Sequence, residues 1–303
     1  MRYLLIFLSA FTFAQQSKLV DFKTIDASIG INPLKRNVIG NVTYTFDVKT
    51  DIDTIKIDAV SMAFSNMKIN GKEVPFRVNS KNLLLYKGFK KGENVLKLDY
   101  EAIPSQGMYF VNWEDISNLK KFENMNGQVW TLGQGKESSH WLPSFDDKNE
   151  KVIFSLDITF QKSFEVVSNG NLVDKIENDD YINWKYKMAE PMSSCQLMLS
   201  IGHYDKKEVV SSSGIPMQFY YEKQDAKRVE PTYRYTKKIF EFFEKELGVP
   251  YRWTNYKEIP VKNFIYSGKG NTMVTLFSRN FMVDSTGFVD RNYVNLNANL
   301  LVR

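Results

Sequence analysis

Strict two-residue alternation, repeated along much of the chain, is the feature that most limits the fold. Val152, Phe154, Leu156, Ile158 and Phe160 are apolar, and polar Ser155, Asp157 and Thr159 stand between them. Successive side chains of an extended chain point to opposite faces, so this run predicts a half-buried antiparallel strand. The same alternation occurs in Val42, Tyr44, Phe46 and Val48, in Leu96, Leu98 and Tyr100, and in Ile182, Trp184, Tyr186 and Met188. Asn70-Gly71, Lys91-Gly92 and Asn169-Gly170 fall between such runs, where a residue that tolerates positive φ lets a hairpin close. Short strands separated by turns predict stacked sheets, a mainly β sandwich, over residues 18–208.

Beyond about Lys207 the pattern changes. Met217, Phe219 and Tyr221 predict one more strand. Pro231 to Leu247 then carries Tyr235, Ile239, Phe242, Phe243 and Leu247 at helical spacing, which predicts a helix with that aromatic stripe in the core. Lys237, Glu241 and Lys245 lie four apart on the other face, and Gly248 and Pro250 end the helix. A domain boundary near residues 205–212 follows, with the turn Ser211-Ser212-Ser213-Gly214 beside it and a second domain over 209–303.

With 303 residues, 43% of them hydrophobic, the chain has material for two packed domains. Its charge of +5 comes from 40 basic and 35 acidic residues mixed throughout, so no basic stripe marks a nucleic-acid partner. Met1 to Ala14 has a positive start at Arg2, an apolar run and small residues at Thr12 and Ala14, the pattern of a secretory signal. That run is too short to span a bilayer. The expectation is an exported chain, periplasmic or extracellular, that begins near Gln15 and has no membrane span after cleavage. The single cysteine, Cys195, excludes an intramolecular disulfide, and its place before Leu197-Met198-Leu199 predicts a buried, inert thiol at a strand start.

The motifs of common enzyme classes are missing. The sequence has no H-E-x-x-H, no G-x-S-x-G, and no glycine-rich phosphate loop. Its two histidines, His140 and His203, fall on different predicted strands or loops with no pattern of further ligands, and both are read as structural. Asp146-Asp147 and Asp179-Asp180 are read as turn residues and solvated charge.

Three stretches carry a resemblance. One is Trp130-Thr131-Leu132-Gly133-Gln134-Gly135 followed by His140-Trp141-Leu142-Pro143-Ser144-Phe145-Asp146-Asp147. Another is Val167-Ser168-Asn169-Gly170, followed by the strands around Trp184 and from Ser193 to Gly202. The last runs from Gly248-Val249-Pro250-Tyr251 through Tyr266-Ser267-Gly268-Lys269-Gly270-Asn271 to Asn297. In these the chain resembles the aminopeptidase N-like zinc metallopeptidases, a gluzincin family. The resemblance implies an N-terminal sandwich or saddle domain followed by a thermolysin-like α/β domain, with peptide N-termini as partners.

It also implies a substrate-binding set of Gln134, Gly268, Lys269, Gly270 and Asn271. The family motif Gly-x-Met-Glu-Asn grips the substrate amine through its glutamate, and here Lys269 stands at the methionine position and Gly270 at the glutamate position. No catalytic residue and no metal ligand carries over. The family's first zinc-binding histidine would follow Ala298, where this sequence reads Asn299-Leu300-Leu301-Val302-Arg303, a string that an out-of-frame reading of His-Glu-Leu-Ala codons can contain. The expectation is therefore the N-terminal portion of an exported zinc aminopeptidase, truncated and inactive as written, without zinc. The alternative is a non-catalytic peptide-binding or interaction module of the same descent. A thermolysin-like domain stopped so early predicts Phe277, Phe281 and Phe288 without cover, and a loose segment from about Met217.

Overall fold

Residues 16–113 and 126–286 are described in the computed structural model of the chain. The expected signal at Met1–Ala14, Phe288 and the stretch from Asn297 to Arg303 lie outside them. The alternating runs become a large sheet. Its strands, from one edge to the other, are Asn171–Glu177, Tyr181–Lys187, Lys151–Gln161, Val20–Asn32, Asn37–Val48, Gly92–Ala102, Met62–Ile69 and Lys72–Glu73. Asn70 (φ 52°) and Gly71 (φ 79°) close the last hairpin, both in the left-handed region that a tight two-residue turn requires.

One strand differs from expectation in orientation. Lys151–Gln161 runs antiparallel to Tyr181–Lys187 but parallel to Val20–Asn32, with Thr24 opposite Ile153 and Gly30 opposite Thr159. Alternation reports which face a side chain takes and carries no information on strand direction. The faces themselves agree, since Val152, Phe154, Leu156, Ile158 and Phe160 are all buried.

Against the inner face packs the segment from Ser138 to Phe145. The Phe145 ring lies 4.3 Å from Phe22, which stacks on Phe46 at 5.1 Å. The Tyr44 hydroxyl donates to the Pro143 carbonyl at 2.7 Å and that of Tyr100 to the Trp141 carbonyl at 3.1 Å, so both buried phenols are satisfied. A three-stranded sheet of Ile55–Asp58, Asn82–Leu85 and Phe76–Val78 covers part of the same core. A four-stranded sheet completes the β-rich part, in the order Glu165–Ser168, Leu199–Gly202, Gln128–Thr131, Met108–Val111.

At His203 the chain passes from that sheet into a five-stranded one. Its order is Tyr204–Val210, Pro216–Glu222, Tyr256–Val261, Val274–Ser278, Gly268–Asn271. Pro216–Glu222 and Tyr256–Val261 are parallel, and the crossover between them carries the helices Val229–Tyr233 and Thr236–Leu247.

Here the aromatic stripe corrects the sequence reading. Tyr235, Phe242 and Leu247 are exposed, at 40%, 54% and 68%, while Tyr233 and Phe240 are buried. The break at Arg234-Tyr235 resets the helical phase, and the second helix docks through Phe240 against Tyr251 and Tyr256, with centroids at 4.9 and 5.7 Å. Gly248 (φ 66°) ends it in a left-handed cap. The expected lack of cover is also corrected over the described part. Met217 and Phe277 are fully buried in one cluster with Phe219, Tyr233 and Phe240, and Phe281 packs against it.

Candidate functional site

Two backbone segments far apart in sequence approach each other across a cleft. One is the loop Gly133-Gln134-Gly135. A methyl group on Gly133 would sit 2.5 Å from the Cys195 carbonyl oxygen and 2.8 Å from Ser138 Oγ, so the loop lies directly on the turn Ser194–Gln196. Hydrogen bonds fix that contact. Ser138 Oγ donates to the Ser194 carbonyl at 2.8 Å, and the Phe145 N–H donates to Ser194 Oγ at 3.2 Å.

The other segment is Gly268–Asn271. It is an edge strand, paired on one side with Val274–Ser278 from Gly268 opposite Phe277 to Asn271 opposite Val274. Its other side has no strand neighbour among the described residues. The turn at Ser168-Asn169-Gly170 ties this sheet to the β-rich part. Buried Asn169 donates to the Gln196 carbonyl (3.0 Å) and the Thr272 carbonyl (2.5 Å), and accepts from the Met198 N–H (2.6 Å). Lys257 Nζ donates to the carbonyls of Ser168 (2.9 Å) and Gly170 (2.7 Å) from a site 3% exposed. Burial first, then the like charge of Lys206, lowers its pKa to about 7. A neutral amine still offers two N–H donors, one for each carbonyl.

Further contacts close the same seam. Trp130 Nε1 donates to the Lys262 carbonyl at 3.0 Å, and buried Lys262 and Glu222 pair at 2.6 Å with Gln128 bonded to both residues. These bonds run along the seam between the four-stranded and five-stranded sheets.

The cleft between them has a volume of about 490 Å³. Gln134 lines it, as do Gly268, Lys269 and Gly270, while Asn271 lies one residue beyond with its amide toward the Lys269 carbonyl at 3.4 Å. Sequence reasoning missed Lys148, Ser193, Cys195, Gln196 and Tyr266, which also line it. Cys195 is partly exposed in a 3₁₀ turn rather than buried at a strand start, which corrects the sequence reading. The adjacent serines Ser193 and Ser194 were the available signal for a turn there.

Asp146 accepts from Ser139 Oγ at 3.1 Å, and its N–H donates to Asp58 Oδ2 at 2.7 Å. Burial and the Asp58 charge raise its pKa to about 6, so it is not the solvated turn charge expected. His203 bonds through Nδ1 to the Ser163 carbonyl at 2.8 Å and stacks on Phe164 at 4.1 Å, while His140 ends a 3₁₀ turn with its pKa lowered by burial. Among the described residues no three His, Cys, Asp or Glu side chains come together as a metal site. The described residues therefore offer no set that fits a catalytic zinc.

Comparison with known proteins gives a consistent result. The Peptidase M1 N-terminal domain matches residues 23–195, more than half of the chain. Human glutamyl aminopeptidase is 24% identical over 192 residues, covering 58% of this chain and 20% of the relative. Leucyl aminopeptidase of Saccharolobus solfataricus is 22% identical over 235 residues, covering 74% and 28%. Glutamyl aminopeptidase of Bitis rhinoceros is 26% identical over 146 residues, covering 48% and 15%. The chain thus spans between 15% and 28% of the length of these relatives.

Proposed function

Because the chain belongs to the peptidase M1 family through its N-terminal domain, we propose that it forms the substrate-facing part of an exported zinc-dependent aminopeptidase. In this reading the cleft receives the end of an extended peptide, and these 303 residues bind no zinc and hydrolyse nothing alone. The observation that carries it is the meeting of Gln134 with Gly268, Lys269 and Gly270 around one cleft beside an open sheet edge. An extended peptide can add to such an edge as a further strand, trading backbone N–H and C=O bonds with it. Glycines at 268 and 270 leave no side chain to hold that backbone away. The names of the relatives support peptides as the ligand class. Among the described residues, no helix is long and apolar enough to cross a membrane.

Cys195, the only cysteine, lines the cleft and gives a direct readout. An unblocked tetrapeptide should slow its reaction with a thiol reagent. The purified chain should hold no stoichiometric zinc and release no amino acid from aminoacyl substrates. Unchanged thiol reactivity at saturating peptide would sink the cleft assignment. One zinc per chain with turnover would sink the statement on catalysis. N-terminal sequencing of the chain recovered outside the cytoplasm should begin at Gln15.

A further inference from the structure

A cleft that grips a peptide amine needs a carboxylate, and the lining of this one contains none among the described residues. Its charged members are Lys148 and Lys269. No ion pair is formed by either ammonium with a described residue. The remaining polar lining groups include Gln134, Ser193 and Gln196, all neutral and all able to donate N–H or O–H bonds. Asp146 is bonded to Ser139, and Glu137 stands outside the lining, where burial raises its pKa and so disfavours its charged form. Among the described residues the sum is a concave site with two positive charges, neutral donors and no acid.

We propose that the Lys148–Lys269 pair makes this cleft a carboxylate site, selecting peptides that bring an acidic side chain or a free carboxyl terminus to it and repelling a bare amine. The inference rests on the reading of the cleft as the peptide site, and it names the chemistry of the ligand group held there. Two ammonium groups flank a single anion, and the neutral donors supply the oxygen's remaining bonds. A free amine entering the same place meets like charge with no counter-ion.

Calorimetry on the purified full chain at low ionic strength tests it. The ligands are three tetrapeptides: one with an N-terminal glutamate and a C-terminal amide, its glutamine counterpart, and that counterpart with a free carboxyl terminus. N-acetyl-glutamate amide and N-acetyl-glutamine amide are titrated beside them. Each exposed ion pair is worth a factor of roughly 1.4 to 5, so a carboxylate held by both lysines should bind about tenfold tighter than its amide. The preference should shrink as salt rises, disappear in the Lys148→Gln/Lys269→Gln double variant, and survive in Lys269→Arg, whose retained preference certifies that the strand still folds. Which of the two carboxylate peptides gains tells whether the side chain or the chain terminus is read. Equal binding of the glutamine amide overturns the carboxylate proposal and leaves the peptide cleft standing. Lysine-dependent binding of N-acetyl-glutamate amide with no peptide binding keeps the carboxylate site and removes the peptide reading. No binding by any ligand overturns both.

Discussion

Lys257→Met should abolish a pH dependence of stability that the wild-type chain shows between pH 8 and 9.5. In the folded chain Lys257 loses its proton above about pH 7, whereas the unfolded chain keeps it to about 10.5. Unfolding in between therefore takes up one proton, and stability rises with pH. Each pH unit is worth about 1.4 kcal/mol, so the window supplies about 2 kcal/mol. The limits of the window follow from neighbouring groups. Glu258, buried on the same strand with Tyr256 donating to it at 3.0 Å, has a pKa raised by burial to about 8 against an ordinary 4.5. Its stabilising effect is full below 4.5 and is lost as pH rises through 8, so it opposes Lys257 chiefly below 8 and fades over the next pH unit. Buried tyrosines such as Tyr204 and Tyr220 hold their protons past pH 10, and their opposing effect starts near the ordinary phenol value of 10. Urea unfolding followed by tryptophan fluorescence at pH 8, 8.75 and 9.5 should give a rising free energy for wild type and no rise for Lys257→Met, where the last of the Glu258 effect leaves a slight fall. Equal slopes in the two chains would refute the assignment of a neutral, buried amine at this seam.

Three further outcomes are expected. Asn169→Ala removes three hydrogen bonds, one buried and two part-buried, at about 1 kcal/mol each and should cost about 3 kcal/mol in urea unfolding; a loss under about 1 kcal/mol would mean that the turn is held by other contacts. Gly133→Ala forces the loop off Cys195 and Ser138, with a stability loss of about 1–3 kcal/mol and at least about tenfold weaker peptide binding by calorimetry; unchanged affinity would show that the loop does not shape the cleft. Phe240→Ala should cost about 3 kcal/mol and Phe242→Ala less than about 0.5 kcal/mol, and equal losses would reject the helix face assigned to the core.

That last pair marks where sequence reasoning stopped. A period of two is read by the same rule at every position of a strand, so the buried faces of Asn37–Val48, Gly92–Ala102 and Lys151–Gln161 were legible residue by residue. A helical stripe depends on phase, and the break at Arg234-Tyr235, which carries no glycine or proline to announce it, moved the buried face from Phe242 to Phe240. The cleft was legible only where a motif resemblance pointed, at Gln134 and from Gly268 to Gly270. Lys148, Cys195 and Gln196 reach it from turns whose only common property is their final position, and no local periodicity encodes that. Of the two lysines that charge the site, Lys269 falls within the motif and was legible there, whereas Lys148 was not.

The parallel pairing of Val20–Asn32 with Lys151–Gln161 joins segments about 130 residues apart. During synthesis at 5–20 residues per second, the first of these strands waits roughly 6 to 26 s for its partner after it has emerged. Its other side is meanwhile closed by the hairpin with Asn37–Val48, so the growing sheet presents one bare row of backbone donors and acceptors through that interval. The nascent chain is thus most open to wrong pairing, and most in need of a holding chaperone, along that row, until the middle of the sequence arrives to seal it.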